Sequence, residues 1–164
     1  MSARPASLSP LRALPWCAAL ALCAAAPLAR AASITSCTVT VSGVAFGTYT
    51  PMQSSALAMN GTINIACTGI TGRSSLTIDL STGASNIYPT RTLVSGSSTL
   101  NYNLYLDPGY TQVWGNGTGG SVEGGAKINN GHRNATLTIY GAIGAGQDPP
   151  PGSYADMIEV SVNY

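Results

Sequence analysis

Apolar and polar residues alternate along most of this chain, and the clearest run lies within residues 153–164. From Ile158 the apolar positions are Ile158, Val160, Val162 and Tyr164, with Glu159, Ser161 and Asn163 between them. A period of two predicts a β-strand with one buried face and one wet face. The run reaches the final residue of the sequence. The terminal carboxylate, and with it a strand edge, is therefore expected to be available to another molecule.

The same pattern organises the residues before it. Cys37, Val39 and Val41 alternate with Thr38, Thr40 and Ser42, predicting a first strand with the cysteine inward. Gly43 interrupts it, and Val44, Ala45 and Phe46 are expected to resume it as far as Gly47. Residues 50–61 read as a loop closed by Asn60-Gly61, a strong turn dipeptide. Ile63, Ile65 and Cys67 give a second inward face, and Leu76, Ile78 and Leu80 a third strand. Residues 91–94 read as a short fourth. Leu100, Tyr102, Leu104 and Leu106 form the longest alternation, with Asn101, Asn103 and Tyr105 outward. Val113 and Trp114 suggest a brief strand before residues 115–125, a loop by their glycine content. Leu137, Ile139 and Ile143 mark another strand from Ala135. The proline run within residues 148–152 cannot join a ladder and delivers the chain to the terminal strand. No helix of convincing length and no internal repeat is evident. About seven or eight short strands at this spacing predict an all-β fold, an antiparallel sandwich of immunoglobulin type. A closed barrel is the other architecture the spacing allows, and strand order cannot be read from it.

Composition narrows the setting. Arg4 and Arg12 precede an uncharged run over residues 14–26, and Ala29 and Ala31 then stand where a signal peptidase reads small residues. Residues 1–31 are expected to be a signal peptide cleaved after Ala31, with Ala26 the weaker site. The run is short for a membrane span and is bounded by Pro15 and Pro27. Residues 32–164 are then enough for one domain with a real core. Arg73, Arg91, Lys127 and Arg133 face Asp79, Asp107, Glu123, Asp148, Asp156 and Glu159, leaving that part near −2 with no basic patch. Nucleic acid and anionic membrane therefore have little support as partners. Cys17 and Cys23 leave with the leader. Cys37 and Cys67 remain, an even count in an exported chain, so one disulfide is the default. A loop of about thirty residues would then be closed, worth roughly 3–4 kcal/mol in the chain-entropy account.

Candidate chemistry is sparse. Metal binding by the two cysteines would need more ligands than a chain with a single histidine supplies, so no metal or cofactor is expected. That histidine, His132, sits in a polar turn with no nucleophile-elbow motif. The carboxylates are scattered, with Asp79 and Glu159 on outward strand faces. The glycine-rich residues 115–120 lack both the spacing and the following helix of a phosphate loop. Asn60, Asn116 and Asn134 stand in short glycosylation sequons. Tyr105, Tyr110 and Trp114, with Tyr88 and Tyr140, are candidates for stacking on sugars or adhering to surfaces. Cross-strand pairing and loop packing are the plainer roles for them.

Several segments stand out in order along the chain: Phe46-Gly47-Thr48-Tyr49, Cys67, residues 100–105, and Trp114-Gly115-Asn116-Gly117-Thr118. Gly146-Gln147, Gly152-Ser153-Tyr154-Ala155-Asp156 and Tyr164 complete the set. Together they resemble the spore coat protein U family, the secreted subunits of archaic chaperone–usher pili. The resemblance implies a sandwich lacking its last strand, with no enzymatic role and no cofactor. A periplasmic chaperone would lend the missing strand. At the outer-membrane usher a neighbouring subunit would replace it, carrying the product to the cell surface. On this resemblance Ile158, Val160 and Val162 line the acceptor groove, and the Tyr164 carboxylate anchors the chaperone. Rod subunits of the family carry an alternating donor stretch ahead of the first cysteine. Here residues 32–36 span roughly 17 Å at about 3.3 Å per residue, too little to fill a groove and link two domains. The chain is therefore expected to accept a strand but donate none, as a tip or adhesive subunit would. Two other readings stand beside this one. The first is a self-sufficient secreted carbohydrate-binding sandwich with complete edges. The second is a secreted hydrolase using carboxylates such as Asp107 or Glu123.

Overall fold

The computed structural model describes residues 33–164, and the expected leader with its cleavage point lies outside them. Among the described residues the chain forms β1 (Ser36–Ser42), β2 (Leu57–Thr68), β3 (Arg73–Leu80), β4 (Arg91–Ser95) and β5 (Ser98–Tyr105). These are followed by β6 (Trp114–Gly115), β7 (Val122–Asn129), β8 (Asn134–Ile143) and β9 (Val160–Asn163), with one 3-10 turn at Gly83–Ser85. The strands make a five-stranded sheet in the order β1-β2-β8-β5-β4 and a four-stranded sheet in the order β6-β7-β3-β9. Every pairing is antiparallel except the two-residue contact of β6 with β7. This is an immunoglobulin-like sandwich left open where a closing strand would lie, and not a closed barrel.

The core lies between the sheets and follows the period of two. Ile63, Ile65 and Cys67 of β2, Leu76, Ile78 and Leu80 of β3, and Leu100, Tyr102 and Leu104 of β5 are all buried. Ile139 and Ile143 of β8 and Ile128 of β7 join them. Cys37 and Cys67 stand directly opposite one another in the β1–β2 ladder and form a disulfide. It fastens β1, at one edge of the larger sheet, to β2, the strand it pairs with among the described residues.

Four expectations need correction. Asn60-Gly61 is not a turn, because β2 runs straight through it, pairing Asn60 with Tyr140 and Gly61 with Ile139. Glycine is required there by close approach: a Cβ on Gly61 would lie 2.6 Å from the Ser42 carbonyl oxygen. Residues 115–125 are a loop only in part, since β7 begins at Val122. Its alternation is hidden because Gly124 holds the inward position where the Trp114 indole packs, and a Cβ would come within 2.5 Å of that ring. Val44, Ala45 and Phe46 do not resume a strand, although Phe46 is buried and meets Tyr102 edge-on at 5.8 Å. Asn103 does not face outward into water; it is 4% exposed. The β4–β5 ladder starts at Arg91 opposite Tyr102, so Asn103 lies just past its end. There its amide donates to the carbonyls of Tyr88 and Pro89.

Candidate functional site: an open groove between two strand edges

β1 and β9 each end a sheet, so each pairs on one side only. Their unpaired backbone groups form two free edges. The side chains next to those edges reveal that the sandwich is unfilled. Val39 and Val41 pair with Ile65 and Ile63 and share their inward face. Ile65 and Ile63 are 2% and 0% exposed, whereas Val39 and Val41 are 37% and 44% exposed. Two valines on the core side of a sheet, open to solvent, mean that an apolar layer is missing above them.

The other bank is built by the approach to β9. Ile158, Val160 and Val162 alternate inward and are half-buried against the core cluster. Between the banks lies a cavity of about 310 Å3, lined by Val41, Val44 and Phe46 on one side and Ile158 and Val160 on the other. Leu80, Leu104 and Ile139 form its floor. A second recess of about 720 Å3 shares Val44, Phe46 and Leu93 with it and extends toward Tyr49, Tyr154 and the prolines 149–151. The smaller cavity is thus a strip of apolar surface bordered by β1 and β9, and the larger recess continues it beyond the residues of those strands. Tyr164, expected on the same inward face, lies past the end of β9 and is 59% exposed.

The wall behind the groove is held by an unusual set of polar contacts. Arg91 has no exposed surface. Its Nε and Nη2 donate to the Ser81 carbonyl at 3.1 and 2.7 Å, Nη2 also to the Trp114 carbonyl at 2.7 Å, and Nη1 to Asn103 Oδ1 at 2.7 Å. The guanidinium lies 5.4 Å from the centre of the Tyr88 ring. Burial pulls its pKa down, an effect that the surrounding tyrosines and Asp156 oppose. Asp156 fixes the start of the β9 segment: its Oδ2 accepts from the Tyr102 hydroxyl at 2.7 Å and its Oδ1 from the Ala84 and Met157 N–H groups. Burial first, and then this bond to Asp156, raises the Tyr102 phenol far above its ordinary range. Neither Arg91 nor Asn103 is marked by sequence spacing as a framework residue. The only signal was a charge at the first position of a predicted strand.

Of the aromatic candidates, Trp114 is ruled out as a surface contact. It is fully buried, and its indole N–H donates to the Ile78 carbonyl at 2.8 Å. Tyr105 and Tyr110 are together, ring edge to ring face with centroids 5.5 Å apart. Of the carboxylates, Asp107 accepts from the Gln112 and Thr111 N–H groups and the Thr111 hydroxyl. The Gln112 bond, ahead of those from Thr111, holds its carboxyl below the ordinary range. That is the behaviour of a loop cap rather than of a general acid. Glu123 is exposed on β7, and His132 is exposed in the β7–β8 turn, its N–H and carbonyl paired with those of Asn129. Among the described residues no group of three or more His, Cys, Asp or Glu side chains is placed to hold a metal ion.

No curated protein matches the sequence. Among solved structures, a similar chain occurs in the CsuC–CsuE chaperone–tip adhesion subunit pre-assembly complex from the archaic chaperone-usher Csu pili of Acinetobacter baumannii. The TM-score is 0.55 at 18% identity, covering 79% of this chain and 39% of that one. At that identity the likeness is one of fold, and this chain spans well under half the length of its counterpart. The profile of the Spore Coat Protein U domain matches residues 23–161. That region takes in both banks of the groove and the disulfide, and the chain belongs to the Spore Coat Protein U domain family.

Proposed function

We propose that this protein is a structural subunit of a chaperone–usher pilus whose groove is filled by a strand from another polypeptide. The observation that carries this reading is the exposure of Val39 and Val41 on a face whose paired neighbours are buried. A donated strand with apolar residues at alternate positions would cover them, at about 1.5–3 kcal/mol for each side chain fully buried. It would pair with the edges of β1 and β9 at the same time. A periplasmic chaperone would supply the strand first and a neighbouring subunit would replace it at the outer-membrane usher, so that the product reaches the cell surface. The likeness in fold to a chain from a chaperone–tip adhesion subunit pre-assembly complex supports the chaperone's part in this reading. No reaction is assigned to the chain on this reading.

A place at the tip of the fibre is the finer part of the proposal. The residues just ahead of β1 are engaged by their own domain. Ser33 and Thr71 exchange both backbone hydrogen bonds, and the Thr35 N–H donates to the Thr68 carbonyl. Residues 33–35 are therefore held in place rather than extended toward a neighbour, which suits a subunit that accepts a strand without giving one. Ile158, Val160 and Val162 would line the acceptor groove, with the Tyr164 carboxylate as the chaperone anchor.

The test is to fuse an alternating donor segment to the C-terminus through a flexible linker. The fusion is expected to be monomeric and to melt at least 10 °C above the unfused domain, since about 1 kcal/mol shifts Tm by several degrees at this size. An unfused domain that is equally stable and monomeric would refute donated completion. Labelling of assembled fibres along their length, rather than at their ends, would refute only the tip assignment.

A further inference from the structure

A further recess, apart from the two at the groove, lies on the outward face of the five-stranded sheet. Strand pairing sets out its floor: Ala58, Ala142 and Asn103 form a row across β2, β8 and β5, and Tyr105 stands two residues further along β5. The recess has a volume of about 480 Å3, and its lining includes Ala56, Ala142, Asn101, Tyr105, Tyr110 and Gln147. Tyr110 comes from the β5–β6 loop, where its backbone is in the left-handed region at φ 56°, an uncommon conformation for an aromatic residue. The Tyr110 N–H donates to the Asp107 carbonyl, and the Asp107 carboxylate holds the two residues that follow. On the other side, the Gln147 amide is fixed by bonds to the backbone N–H and carbonyl of Asn101, both at 2.8 Å. The Asn101 amide and the hydroxyls of Tyr105 and Tyr110 are engaged by no other described residue.

We propose that this recess binds a neutral sugar of one or two pyranose rings. None of its lining residues carries a charge, which disfavours phosphorylated, sulfated or acidic ligands. Aromatic rings offer flat apolar surface to the C–H face of a pyranose, while phenol and amide groups can exchange hydrogen bonds with its hydroxyls. A purely apolar ligand would cover those polar groups without pairing them, at a cost. The volume falls in the range of small-molecule sites, about 300–1,000 Å3. A peptide strand is excluded here by topology, because β2, β8 and β5 are each already paired on both sides. Apart from Tyr102, which lines both, the recess and the groove share no lining residue, so the recess stands or falls independently of strand donation.

The experiment uses the full chain in the assembly state it adopts in solution. The methyl glycosides of glucose, galactose, mannose and N-acetylglucosamine are each screened by saturation-transfer NMR. At least one is expected to bind, with glucuronic acid at least tenfold weaker. Tyr105→Ala, which removes a ring, and Ala58→Leu, which fills the exposed floor and leaves both rings in place, should each weaken binding at least tenfold. Ala58→Leu should leave the melting temperature within a few degrees. No transfer from any of the four glycosides would overturn the proposal. Transfer unchanged in both variants, or glucuronic acid binding equally well, would also overturn it. So would loss of subunit assembly in the variants with no sugar bound, which would mark the face as a protein contact.

Discussion

A guanidinium with no exposed surface ordinarily faces a carboxylate, yet Arg91 is surrounded by carbonyl oxygens. It ties the end of β3, the start of β6 and the edge of β5 to one point. Arg91→Met keeps most of the stem but takes the guanidinium donors from the Ser81 and Trp114 carbonyls and leaves Asn103 Oδ1 with the Leu104 N–H alone. A loss of about 3 kcal/mol is expected, read as a lower urea midpoint at unchanged slope. An unchanged midpoint would show that water replaces the side chain there. Tyr102 makes a separate prediction. Its folded pKa lies above its unfolded one, so the folded state holds the proton more tightly. The associated stability is complete below about pH 10 and is lost as pH rises beyond it. Urea midpoints at pH 8 and pH 11 should therefore differ more for the native chain than for Tyr102→Phe. The inward place of Tyr102 was legible in the sequence; its bond to Asp156 and the role of Arg91 were not. Alternation assigns a side chain to a face but does not say what covers that face. Asn103 shows the limit, since it lies one residue past the end of the β4 pairing.

At the scale of elements, strands with branched apolar residues at every second position were legible, and strands that use glycine were not. β3, β5 and β8 belong to the first kind. β7 belongs to the second, because the Trp114 ring fills the space that a side chain at position 124 would occupy. Gly124→Ala should cost about 1–3 kcal/mol by overpacking and alter the near-ultraviolet circular dichroism of the buried indole. A full melting profile with an unchanged indole signal would contradict that packing. β2 was half legible. Its alternation from Ile63 was plain, but Asn60-Gly61 carries a turn signal that the ladder to β8 overrides. The disulfide gives the β1–β2 pair its own test. Cys37→Ser with Cys67→Ser should lower stability by roughly 3–4 kcal/mol, measured against the oxidised chain. Loss of β1 protection in hydrogen exchange should precede loss of the core.

The described domain leaves an apolar groove open between β1 and β9, and that invites a substitution whose effect depends on completion. Val41 is exposed in the domain by itself, so Val41→Glu should change its own stability by no more than about 0.5 kcal/mol. Once a donated strand covers the groove, the same carboxylate would be buried without a partner, which is costly. Titration with an alternating donor peptide should then show affinity at least tenfold weaker than for the native chain. Thr40→Glu, on the outward face, should leave it unchanged. Equal weakening by both would indicate a general charge effect instead. The sequence by itself determined which residues alternate, and therefore that the chain is all-β, that Cys37 and Cys67 both face inward, and that Ile158, Val160 and Val162 form one apolar face. Those properties follow from a local period of two. Only the tertiary structure decided that β1 and β9 end different sheets and border the same cavity. Only it decided that Arg91 and Asn103 are framework and that Trp114 is core. Sheet order and the ends of ladders depend on which distant strands meet, and no spacing along the chain records that.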